Sequence, residues 1–128
     1  ALDLVGRTDL PALVAVFRRC AAVVTHDSGP MHLARLAPTR VVALFGPTPP
    51  SSFFRPSPTA AILWPGIALP CAPCYDGREF AACTNNRCMQ MIEPAEVLAG
   101  VVALAPAAKA SPISSSGPYA PAPRTPSP

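Results

Sequence analysis

The sequence predicts an α/β fold with a partial parallel sheet, and three observations carry that prediction. Two short apolar runs, at 21–25 and 40–45, are rich in β-branched residues and lack the polar alternation of a half-exposed strand. Segments with helical apolar spacing stand before the first run and between the two. The connections are a few residues long, which is the grammar of a doubly wound sheet.

Taken in order, Thr8 suits the N-cap of a first helix, with Asp9 in the turn where the helix dipole favours an acid. Pro11 lies where no amide hydrogen bond is lost. The pattern continues to about residue 19, with Leu10, Leu13, Val14 and Phe17 on the predicted buried face and Arg18 and Arg19 at the C-terminal end. Residues 21–25 then read as a strand covered on both faces, 30–36 as a short helix, and 40–45 as a second buried strand ended by Gly46-Pro47-Thr48-Pro49-Pro50. After a proline-rich loop, 60–64 predicts a last short strand, and a cysteine-rich loop covers 71–88. Pro94 opens a helix to about residue 104, with Val97, Leu98, Val101 and Val102 on its apolar side in spite of Gly100. No internal repeat is present. The reading is of a domain over 1–105 followed by a disordered tail over 106–128, made of proline, serine and alanine with no core-forming period.

Composition narrows the function. With 128 residues and 50% of them hydrophobic, the chain has enough apolar material for one core. The net charge is only +3 and the basic residues are scattered, so there is no nucleic-acid-binding stripe. No uninterrupted apolar run reaches about 18 residues, and the N-terminus lacks the basic, apolar and small-residue order of a signal peptide; a cytoplasmic location is the expectation. The chain opens without methionine on residues that read as the end of a strand and a loop. Residues 1–46 are too few to close a sheet, so a C-terminal piece with further strands upstream is expected.

The chemistry concentrates in the stretch VVTHDSGPMH at 23–32, where a buried strand stops at an acid, a hydroxyl, a glycine and a proline. In open α/β sheets ligands bind beyond the carboxyl ends of the strands, where the next helix presents free amides. Ser28 and Gly29 can offer N–H groups to an anion, and glycine lets a phosphate approach without a Cβ in the way. A diphosphate is the natural guest. Asp27 would repel it, and so has to point toward sugar or ribose hydroxyls, while His32, one turn into the helix, can donate to a phosphate oxygen. The competing reading makes Asp27 or Ser28 a plain helix cap and His32 an ordinary helix residue. A metal-dependent phosphohydrolase built on His26-Asp27 lacks ligands, since the chain has two histidines.

Cys71, Cys74, Cys83 and Cys88 have the spacing C-x2-C-x8-C-x4-C, while Cys20 stands apart and reads as a small buried hydrophobe. Four thiolates permit a structural zinc site, although the second pair is wider than a zinc ribbon's. An iron–sulfur cluster, disulfides in an oxidising compartment, and four free thiols are the other readings.

The Gly-Arg-Thr loop and helix at 6–19, the turn Asp27-Ser28-Gly29-Pro30-Met31-His32, and the strand ending in Phe45-Gly46-Pro47-Thr48 occur together in order. This combination resembles the C-terminal domain of glycosyltransferase family 9, the lipopolysaccharide heptosyltransferases, over roughly residues 4–104. The resemblance implies the Rossmann-like, donor-binding half of a two-domain GT-B enzyme. It further implies inverting transfer of a heptose from an ADP-activated donor to the lipopolysaccharide inner core. By the same resemblance the amides of Ser28 and Gly29 hold the diphosphate, Asp27 contacts donor sugar hydroxyls, and His32 supports the site near the phosphates. The family's general base comes from the other domain, so no catalytic residue is expected here and the chain alone should bind without catalysing. No cofactor is required for such a transfer; related chains carry these cysteines without metal being part of the family's mechanism, so the resemblance is neutral on the zinc site. The full-length enzyme would act in the cytoplasm, at or peripherally bound to the cytoplasmic face of the inner membrane. The alternative is a non-catalytic nucleotide-sugar-binding or cysteine-stapled structural module.

Overall fold

In the computed structural model, residues 1–104 are described, apart from Pro56 and Asp76. The expected tail at 106–128 lies outside the described residues. Three parallel strands, β1 (Val23–His26), β2 (Val41–Leu44) and β3 (Ala60–Leu63), form one sheet in the order β1-β2-β3. Their register sets Val23 beside Val41 and Val41 beside Ala60. The small α/β class and the parallel pairing are as the sequence predicts.

Two layers of helix flank the sheet because successive residues of a strand point to opposite faces. On one face Val23, Val41, Ala43 and Phe45 join Met31 and Ala34 of α2 (Gly29–Leu36) in the main core. Phe54 closes this core edge-on to Phe45, with ring centroids 6.1 Å apart, and the Arg35 guanidinium covers the Phe54 ring at 4.8 Å. On the other face Val42 and Ala61 receive α5 (Pro94–Leu104) at Gly100. α1 (Leu10–Arg19) packs beside α2. Thr39 in the α2–β2 connection donates its hydroxyl to the carbonyl of Cys20 at the end of α1, over 3.2 Å.

Several expectations change at the level of the residue. The N-cap of α1 is Asp9, not Thr8: the helix begins at Leu10, and the Asp9 carboxylate accepts the Ala12 N–H at 2.8 Å. Leu10 points away from the core, while Leu13, Val14 and Phe17 are half-buried. Cys20 is exposed rather than buried, its thiol donating to the Val16 carbonyl at 3.4 Å. β1 is covered on one face only, with Val24 46% exposed on the other: β1 stands at the sheet edge, and α5 packs mainly on β2 and β3. The face of α5 turned to the sheet is centred on Gly100, with Val97 and Val101 half-buried, whereas Leu98 and Val102 face outward.

Three short helical pieces interrupt segments that read as loop: α3 (Pro50–Phe53), a 3-10 turn (Pro65–Ala68) and α4 (Arg87–Gln90). α4 carries Cys88 into the interior, so the last cysteine of the expected loop sits on a helix. Among the described residues no helix is long and apolar enough to cross a membrane.

Candidate functional site

The site lies at the carboxyl end of β1. The last ladder bond there runs from the Asp27 N–H to the Leu44 carbonyl at 3.1 Å, which fixes the backbone of Asp27 against β2. Ser28 follows in extended conformation as the N-cap of α2, and Gly29 and Pro30 make the first turn. The Ser28 hydroxyl turns back to donate to the His26 carbonyl at 3.1 Å and makes no cap bond to the helix. Neither the Ser28 nor the Gly29 amide hydrogen bonds to a described residue. A helix N-terminus left without a side-chain cap keeps its donors and the positive end of its dipole for a ligand. Nothing lies within 4 Å of where a Gly29 side chain would begin, so the backbone there is open on its Cβ side.

Asp27 is not a helix cap. Its Oδ2 accepts the hydroxyl of Thr48 at 2.6 Å, and Thr48 is only 7% exposed. A buried hydroxyl donating to a carboxylate makes a short, charge-assisted bond that fixes the direction of the acid. Thr48 arrives from the turn after β2, whose Pro47 carbonyl accepts the N–H of Cys74 at 3.0 Å. The cysteine loop is thereby tied to the same turn.

A cleft of about 570 Å³ opens over these residues, lined by His26, Asp27, Gly46, Thr48, Phe80 and Asn86 among others. Of the sequence-predicted site residues, Asp27 lines the cleft. Ser28 and Gly29 adjoin Asp27 in the chain without lining it, and His32 is exposed on the first turns of α2, also outside the lining. Sequence reasoning gave no role to Thr48, although it named the turn that holds it, and missed Phe80 and Asn86. Phe80 and Asn86 belong to the loop read only for its cysteines.

That loop is held by protein contacts. The five cysteines are free thiols. The Asn86 N–H donates to Cys83 Sγ at 3.2 Å, and the Cys88 thiol donates to Asn86 Oδ1 at 3.5 Å. Hydrogen bonds from the Asn86 and Asn85 backbones pull the Cys83 thiol below its ordinary pKa, while burial, with Cys74 and Cys83 nearby, pushes Cys88 up. Among the described residues no three His, Cys, Asp or Glu side chains form a group that could hold a metal ion.

Comparison with known proteins adds to this geometry. The family model for glycosyltransferase family 9 (heptosyltransferase) matches residues 1–84. The chain is 30% identical over 100 residues to lipooligosaccharide heptosyltransferase 2 of Campylobacter jejuni, covering 75% of this chain and 29% of that protein. It is 45% identical over 49 residues to lipooligosaccharide heptosyltransferase 2 of Haemophilus influenzae, covering 38% of this chain and 14% of that protein. With lipopolysaccharide heptosyltransferase 2 of Escherichia coli it shares 44% identity over 48 residues, again 38% of this chain and 14% of the relative. The chain therefore spans less than a third of the length of these relatives. No solved structure matches it significantly. A match to the family model over residues 1–84, on a parallel α/β sheet with an uncapped helix N-terminus at the end of β1, makes this chain a member of glycosyltransferase family 9, the heptosyltransferases.

Proposed function

We propose that the chain is the donor-binding part of a GT-B heptosyltransferase that moves a heptose from ADP-heptose to the lipopolysaccharide inner core with inversion. The observation that carries this reading is the pairing at the end of β1: two amides without partners among the described residues, beside a carboxylate whose direction a buried threonine fixes. On this reading the Ser28 and Gly29 amides hold the diphosphate at the N-terminus of α2, as anions are held at helix N-termini generally. The same donors stabilise the charge that grows on the diphosphate as the glycosidic bond breaks. Asp27, kept off the phosphates by its bond to Thr48, accepts hydroxyls of the donor sugar, and His32 supports the site from the first turns of α2.

The general base that activates the acceptor hydroxyl belongs to the other domain, and so does the surface that receives the lipopolysaccharide core. The chain alone binds donor and does not turn it over; the reaction needs no cofactor. The complete enzyme works in the cytoplasm, peripherally associated with the cytoplasmic face of the inner membrane, where its acceptor is anchored.

Transfer of heptose from ADP-heptose to a truncated inner-core acceptor by the full-length enzyme, with wild-type Asp27 and with Asp27→Ala, tests the reading. Loss of transfer in a variant that remains folded supports it. A folded Asp27→Ala enzyme with undiminished transfer would overturn the role of Asp27.

A further inference from the structure

Phe80 is 61% exposed, yet it is held firmly. It forms an antiparallel bridge with Tyr75, and the following residue, Ala81, donates its N–H to the Cys74 carbonyl at 2.9 Å. The Tyr75 ring lies against the Phe80 ring with centroids 4.7 Å apart and planes tilted by 33°, and Phe53 backs Tyr75 at 6.3 Å. Through the Cys74–Pro47 bond this aromatic row is fastened to the turn that carries Thr48. The Tyr75 contact thus fixes the ring at the edge of the cleft while leaving much of it exposed.

The cleft that Phe80 lines also holds the Asp27 carboxylate and Asn86. Asn86 adopts a left-handed backbone, φ 49° and ψ 38°, a conformation that Asn accepts more readily than most residues. With Oδ1 taken by the Cys88 thiol, its side-chain NH2 makes no hydrogen bond among the described residues. An apolar ring facing a few convergent polar groups is the usual make-up of a small-ligand site. The ligand it suits is a pyranose: one face of a sugar ring presents C–H groups and its rim presents hydroxyls.

We propose that Phe80 is the platform on which the pyranose of the nucleotide-linked donor rests, with Asp27 and Asn86 taking hydroxyls at its rim. The inference rests on the donor-site reading and assigns a sugar-selecting role to the cysteine loop. Phe80 is thus a specificity residue for the sugar and leaves the nucleotide untouched.

Calorimetric binding of ADP-heptose and of ADP to the 128-residue chain and to its Phe80→Ala and Phe80→Trp variants tests this. Phe80→Ala should weaken ADP-heptose by about three- to tenfold, the worth of one aromatic contact. ADP should change by less than about twofold, and Phe80→Trp should keep the wild-type preference for the sugar-bearing ligand. Equal weakening of both ligands, or of neither, would overturn the platform while leaving the donor site standing. A folded wild-type chain that binds neither ligand would overturn the donor-site reading and the platform with it. Since Phe80 lies outside the core, Phe80→Ala should fold, and unchanged thermal melting checks that it does.

Discussion

The Asp27–Thr48 bond is the residue-scale feature on which the site depends, and it spans 21 positions of the chain. Nothing in local sequence announces such a pairing. DSGP legibly ends a strand and starts a helix, whereas the hydroxyl that aims the acid comes from the next strand's turn. Thr48→Val should cost about 1.5 kcal/mol of stability, the lower end for a hydrogen bond to a charged group. It should also weaken donor binding, and Thr48→Ser should restore both; a donor titration alongside thermal melts reads the two effects separately. Asp27→Asn, which keeps an acceptor for Thr48, should melt close to wild type and still bind donor poorly. The cysteines make a third residue-scale prediction. The Cys83 thiol is exposed and its thiolate is favoured by backbone hydrogen bonds, while Cys88 is buried with its pKa raised. As pH rises from neutral, Cys83 should therefore be alkylated before Cys88, as peptide mass spectrometry after partial labelling will show. Equal labelling of the two would contradict the arrangement of the loop.

At the scale of elements, the strands were legible because unbroken β-branched runs between turn residues have few other uses. The pieces that escaped are four-residue helices, two of them led by proline, too short to show a period. α5 teaches a different lesson. Its sequence is apolar on nearly every side, so spacing placed Leu98 and Val102 on the buried face wrongly, and Gly100 read as a weakness. In the structure Gly100 faces the sheet: a Cβ there would meet Val42 at 3.4 Å and Ala61 at 3.7 Å, leaving no room for a larger side chain in that direction. Gly100→Leu should accordingly push α5 from the sheet and destabilise the fold by about 1–3 kcal/mol, as overpacked cores do. A melting curve unchanged by that substitution would show that α5 does not seat on β2 and β3.

For the whole molecule, the arrangement divides labour between the two ends of the sheet. β2 and the inner face of α2 supply much of the buried core, and the polar groups gather where the strands end, as open α/β sheets generally arrange them. The class of fold and the strand-to-helix turn could be read from the sequence because both depend on neighbouring residues. The cleft could not, since it joins the ends of β1 and β2 to a loop some 40 residues further on, and the cysteine pattern drew attention to sulfur rather than to the aromatic ring beside it. If the loop is held by protein contacts alone, prolonged chelation should leave both melting and nucleotide binding unchanged; coupled loss of the two would show that a metal shapes it.

The central claim is that the free amides at the start of α2 hold a nucleotide diphosphate. An amide NMR titration of the chain with ADP, with UDP and GDP as comparisons, tests it most directly. The account predicts shifts centred on Ser28, Gly29 and the residues around them, strongest with ADP. A well-dispersed spectrum in which none of the three nucleotides moves those amides would contradict it.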